Sequence, residues 1–182
     1  MPSIVVIGSI NLDIVATAER LPVAGETVTD AVLNRFPGGK GANQALAARR
    51  LGADVSLLGC VGRDADAEAA LSLLTEGGVE LGHLVVDDDA PTGVALINVA
   101  RSGENQIVVA PGANRCLRPD RLALPDADAL ICQLEIPTDT VASAAQAFAG
   151  FVCVNLAPAK HVDVSVLQRA DLIVVNETEA AW

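Results

Sequence analysis

Residues 129–156 read ALICQLEIPTDTVASAAQAFAGFVCVNL. Ala129–Leu134 is short and apolar at nearly every position, as expected of a strand buried on both faces. Pro137 to Ala149 then has the Ala-rich composition of a helix, and Phe151–Leu156 repeats the apolar run. Strand, helix, strand is the unit of a parallel sheet. The same rhythm extends outward through Ile4–Gly8 (IVVIG), Val55–Gly59 (VSLLG) and Asp171–Asn176 (DLIVVN), with helical stretches at Gly41–Leu51, Ala65–Glu76 and Val162–Arg169. The expected fold class is α/β: an open, mostly parallel sheet flanked by helices.

Two segments break the rhythm. Glu26–Asn34 is β-rich, and so are Gly93–Ala100 and Gln106–Ala110, which flank the turn-forming Arg101-Ser-Gly-Glu-Asn105. They predict a small antiparallel sheet projecting from the main one, inserted after its first strand and before its third, and placed to cover a site as a lid. The plainer alternative is that these strands extend the main sheet. Nothing marks a second domain.

The 182 residues are 51% hydrophobic but only 2% aromatic, so the core is built from Ala, Val, Leu and Ile. With 12 Lys and Arg against 23 Asp and Glu, the net charge of −11 repels nucleic-acid backbones and anionic membrane surfaces. Neither is an expected partner. Cys60, Cys116, Cys132 and Cys153 form no C-x-x-C pair, and three of them sit among apolar residues, so disulfides and zinc are not expected. His83 and His161, the only histidines, lack ligand spacing. The segment Thr140–Ala159 carries no charge, but Gln146, Gly150, Asn155 and Pro158 interrupt it, so it reads as helix, turn and strand. The amino-terminal MPSIVVIGSINLD has no basic leader region, and a cytoplasmic location is expected.

In open α/β sheets ligands bind beyond the carboxyl ends of the strands. Asn11 and Asp13 follow the first strand, two apart, and in an extended segment they project to one side with donors and acceptors that match vicinal hydroxyls. A turn-forming Asx pair is the alternative. Pro37-Gly-Gly-Lys-Gly-Ala-Asn-Gln44 opens backbone N–H groups at a helix start, with Lys40 and Asn43 as side-chain contacts; a plain glycine-rich turn is the other reading. The spacing is neither that of a P-loop nor of a dinucleotide fingerprint. Glu135, Asn176 and Glu179 end two further strands at the same sheet edge, where a carboxylate holds a sugar hydroxyl or, through water, magnesium. Each also reads singly as a helix cap or first-turn acid.

Taken in order, Gly8-Ser-Ile-Asn-Leu-Asp13, Gly25-Glu-Thr-Val28, Gly38-Gly-Lys-Gly-Ala-Asn-Gln-Ala45, Thr92-Gly-Val-Ala-Leu-Ile97, Gly112-Ala-Asn114, Gln133-Leu-Glu135, Asn155-x-Ala-Pro-Ala159 and Asn176-Glu-Thr-Glu179 resemble the ribokinase-like carbohydrate kinase family. The resemblance implies ATP-dependent phosphorylation of D-ribose on its 5-hydroxyl. It implies sugar contacts at Asn11, Asp13, Gly39, Lys40, Gly41, Ala42, Asn43 and Glu135, a nucleotide contact at Asn176, and an acid associated with Mg2+ at Glu179. It also implies a β lid, around residues 14–36 and 92–110, that forms a homodimer contact, and a monovalent cation such as K+, its site expected outside these residues. The family's Gly-Ala-Gly-Asp loop, which carries the base for the sugar hydroxyl, has no counterpart in these residues. No catalytic base is therefore assigned, and residues 1–182 are expected to be the sugar-binding part of an incomplete domain, inactive alone. The alternative is a non-catalytic pentose-binding remnant or a pairing subunit.

Overall fold

The computed structural model describes residues 1–181; Trp182, the last residue of the expected domain, lies outside the described residues. In chain order the elements are β1 (Ser3–Ile7), β2 (Asn11–Ala18), β3 (Val32–Gly38), α1 (Lys40–Arg50), β4 (Asp54–Leu58), β5 (Cys60–Gly62), α2 (Ala65–Glu76), β6 (Val85–Asp87), β7 (Gly93–Ala100) and β8 (Asn105–Ala110). Short 3-10 turns follow at Gly112–Cys116 and Pro119–Arg121, then β9 (Ala129–Gln133), α3 (Thr138–Ala147), β10 (Phe151–Asn155), α4 (Val164–Arg169), β11 (Leu172–Val174) and α5 (Glu177–Ala180).

The main sheet has the order β11-β10-β9-β1-β4 and is parallel throughout. Because successive side chains alternate, β1 feeds both faces: Val5 and Ile7 pack with Leu130, Val152 and α3, while Val6 packs with Leu57, Ala45, Leu46 and Leu74 from the α1 and α2 side. The helices begin where chemistry allows. Asp64 accepts from the Ala67 amide at 2.9 Å to cap α2, and Asp163 accepts from the Ser165 amide at 2.8 Å to cap α4.

A second sheet, β3-β2-β7-β8, stands beside the first. It corrects the sequence reading twice. The sheet is mixed, because β2 and β7 run parallel while the flanking pairs are antiparallel. Its first hairpin partner is Val32–Gly38, displaced from the expected Glu26–Asn34. Pro37, which lacks a donor, sits in this strand because β3 is an edge. The small pair β5-β6 completes the framework. Among the described residues no helix is long and apolar enough to cross a membrane. Cys60 and Cys132 are buried, with their thiols pushed up to about 11 and about 12 chiefly by burial, whereas Cys116 and Cys153 are only half-buried.

Candidate functional site

Numbered within the main sheet alone, the strand order is 2-1-3-4-5, so connections leave β1 toward β4 on one side and arrive at β9 on the other. Such a switch point opens a crevice at the carboxyl ends of the two strands. Ser9 follows β1 and Glu135 follows β9, and they meet there: Ser9 Oγ donates to Glu135 Oε2 at 2.5 Å. The first turn of α1 closes over the same carboxylate, with the Lys40 amide donating to Oε2 at 3.2 Å and Lys40 Nζ lying 3.8 Å from Oε1. Glu135 therefore does not cap α3, the helix it precedes, whose N-cap residue is Pro137. It is an acid at the positive end of α1, reached across the fold, and its side chain keeps 17% exposure for a ligand.

Two glycines make this approach possible. Gly39 has φ 91°, and a Cβ there would lie 2.7 Å from the Ser9 carbonyl oxygen. A Cβ on Gly41 would lie 2.5 Å from the Gly8 carbonyl carbon, which is backbone and cannot yield. Gly41 and Ala42 are buried, so their packing against Gly8 and Ser9 explains their size. Asn43 is exposed on α1.

Asn11 and Asp13 both lie in β2 and share one face of the second sheet, which excludes the Asx-turn alternative. Asn11 is buried at the root of the strand, where its Oδ1 accepts from Asn114 Nδ2 at 2.8 Å. Asn114 also accepts from the Ile10 amide at 2.9 Å and donates to the Ile10 carbonyl at 3.1 Å, holding the β1–β2 junction by three bonds. Glycine again supplies the clearance: a Cβ on Gly38 would land on the Asp13 carboxylate, and one on Gly93 would land on the paired Asn11 and Asn114 amides. Asp13 has no hydrogen-bond or ion-pair partner among the described residues. Burial, and secondarily the charge of Glu135, push its carboxyl above the ordinary aspartate value of 3.8.

Strand register adds residues that sequence reasoning missed. Phe36, Asp13, Ala95 and Val109 are consecutive cross-strand partners, so a carboxylate that feels the charge of Glu135 sits in an apolar row. Val109, Lys40 and Glu135 line one cleft of about 770 Å³, together with Arg115, Pro158, Lys160 and His161. Ser9, Gly38 and Asn114 were also missed as site-builders, although each stands in one of the quoted motifs. A smaller cleft of about 180 Å³, with Ser3, Asp54 and Glu80 in its wall, opens at the amino end of the sheet, away from this crevice.

Asn176 and Glu179 are not brought into that group. They lie past β11, two strand spacings or about 10 Å along the sheet edge from β9, and they satisfy one another. Asn176 Oδ1 accepts from the Glu179 amide at 2.8 Å and Glu179 Oε2 accepts from the Asn176 amide at 2.9 Å, a reciprocal capping box on α5.

The comparisons with known proteins agree with this fold. The chain is 38% identical to a ribokinase of Haemophilus influenzae over 186 residues, covering 98% of this chain and 61% of that one. A Thermotoga maritima ribokinase structure superposes with a TM-score of 0.90 at 33% identity, over 98% of this chain and 61% of that chain. An Arabidopsis thaliana ribokinase solved with ribose and ATP superposes with a TM-score of 0.86 at 30% identity, over 99% of this chain and 62% of that chain. The chain thus spans about three fifths of the length of these relatives. The family model for pfkB family carbohydrate kinases matches residues 1–182. With that match along its whole length, the chain belongs to the pfkB family of carbohydrate kinases.

Proposed function

We propose that this chain supplies the acceptor side of an ATP-dependent kinase for D-ribose. The observation that carries the reading is Asp13, a carboxylate left unpartnered in an apolar row and close enough to Glu135 to feel its charge. Sugar hydroxyls donate to both carboxylates, while Lys40 Nζ and the Asn11 amide nitrogen donate to sugar oxygens. Gly39, Gly41 and Ala42 contribute backbone at the start of α1, and Asn43 contributes its side chain. The second sheet acts as a lid over the sugar and carries a homodimer contact.

In the reaction, the sugar 5-hydroxyl oxygen bonds to the γ-phosphorus of ATP, the bond from that phosphorus to the bridging oxygen breaks, and ADP leaves. The hydroxyl proton goes to a base. Asp13 holds the sugar and is not that base, and no other residue here is assigned to the role because the Gly-Ala-Gly-Asp loop is absent from the sequence. Asn176 lies on the nucleotide side. Glu179 is the candidate acid for Mg2+: its Oε2 accepts from the Asn176 amide, so Oε1 would hold the ion through water, and no K+ site is assigned to these residues. No step is routed through a metal.

Calorimetric titration with D-ribose tests the reading. Binding that is lost in Asp13→Ala, with folding retained, is expected; absence of binding by the wild-type protein would overturn it. Ribose-dependent ADP formation by residues 1–182 alone would overturn the placement of the base outside them.

A further inference from the structure

A chain of side-chain amides crosses the carboxyl edge of the main sheet. Asn155, the last residue of β10, donates from Nδ2 to the Val174 carbonyl of β11 at 3.0 Å. Its Oδ1 accepts from Gln44 Nε2 of α1 at 3.3 Å, and Gln44 Oε1 accepts from Gln133 Nε2, at the end of β9, at 2.5 Å. An amide keeps its shape when turned over, so a group that cannot turn must set its direction. The Val174 carbonyl is that group. It only accepts, so Asn155 presents its NH2 to it and its oxygen to Gln44; Gln44 must then present its oxygen to Gln133.

The Gln133 oxygen is left at the free end of the chain, fully buried and without a hydrogen-bond partner among the described residues. A Cβ on Gly8 would land on this oxygen, so one Gly8 Cα–H bond points at it, and the same virtual Cβ would lie 2.7 Å from Gly41 Cα. Packed interiors rarely leave such an acceptor unpaired. It is held against the contact of Gly8 with Gly41, directly beneath the α1 turn that meets Glu135.

We propose that Gln133, Gln44 and Asn155 are positioning residues that set the first turn of α1, and with it the Lys40–Glu135–Ser9 contact, from the end of β11. The site part of this inference rests on reading that contact as the sugar site. None of the three hydrogen-bonds Asp13, Lys40 or Glu135. A shift at Val174, two residues before Asn176, is thereby transmitted to the sugar side.

The test uses Asn155→Ala, the length-preserving Gln44→Met and the double variant, in the intact protein. The first arm needs no ligand. The Ala42 and Asn43 amides, bonded to the Ser9 and Gly39 carbonyls at 3.0 and 2.9 Å, should exchange with deuterium about tenfold faster in each single variant, while α2 amides keep their rates. The double variant should be no worse than either single, since one broken link already opens the chain. Rates within about twofold of wild type, or single effects that multiply in the double, overturn the inference. In the second arm, ribose affinity should fall about fivefold in each single and no further in the double. Faster exchange with unchanged ribose affinity overturns the positioning role. If wild-type protein binds no ribose, the proposed function and the transmission to a sugar site both fall, and the exchange arm alone decides whether the amides set α1.

Discussion

β1 reads SIVVI and β8 reads NQIVVA, yet Val5, Val6 and Ile7 are wholly buried while every residue of β8 is exposed. The two strands are similarly apolar and differ in what lies over them. β1 is central in a sheet with helices on both faces, whereas β8 is the edge of a sheet that stands largely without a covering layer. β2 passes from one regime to the other, buried at Asn11 and Leu12 and half-buried or exposed from Asp13 to Ala18. The candidate site lies at that transition, where a rigid body meets a thin sheet. Apolar content measures the tendency of a strand to be covered, and only topology decides whether it is.

The largest effect expected from this contrast is in the body. Leu130 is fully buried between Val5 and Val152, so Leu130→Ala should cost about 3 kcal/mol of folding stability in urea titrations. A loss under about 1 kcal/mol would mean that the body is no better packed than the lid sheet. Next comes the junction. Asn114→Ala strips partners from the Ile10 amide, the Ile10 carbonyl and Asn11 Oδ1, and should cost about 2 kcal/mol while weakening ribose binding, because β2 loses its anchor.

These positions differ in how far the sequence discloses them. The run AEAALSLLTE with Asp64 before it delimits α2, and the apolar runs mark the main strands, because periodicity and capping are local. β3 is not local in this sense: Arg35 and Pro37 lie beyond the β-rich Glu26–Asn34, and pairing with β2 makes them strand. The clamp by Asn114 spans more than a hundred residues and depends on a register that no short window contains. For Glu135 the sequence marks the strand end, but the helix over its carboxylate is α1, far earlier in the chain. The row Phe36–Asp13–Ala95–Val109 exists only once three strands are aligned.

Asp13 separates the binding role from the stability of the body. Its carboxyl is raised by burial and by Glu135, so the ionised form is disfavoured in the fold, and its penalty is present above the raised folded pKa. Asp13→Asn should therefore raise the melting temperature at pH 7, and this gain should vanish as pH falls toward 3.8, where the wild-type carboxyl is protonated too. The same substitution should weaken ribose binding by about 2 kcal/mol, some thirtyfold. In the wild type, ribose affinity should begin to fall at a pH above 3.8, set by the raised pKa. A variant that is both less stable and equally good at binding would place Asp13 in the framework instead.

The smallest effects should lie on the lid sheet, and there the two faces can be told apart. Val109 shares its face with Asp13 and lines the cleft, whereas Val108, 67% exposed, is paired with Leu96 on the opposite face. Val109→Ser should leave folding within about 0.5 kcal/mol of wild type but weaken ribose binding by about threefold, through loss of apolar surface beside the carboxylate. Val108→Thr should change neither quantity in dilute solution, since an already hydrated side chain has little burial to lose. The pair is informative because the substitutions are adjacent in sequence and similar in size. If Val108→Thr destabilises the protein only at high concentration, the outer face is covered by a second copy in solution. β8 would then resemble β1 after all, with its covering layer supplied from outside the chain.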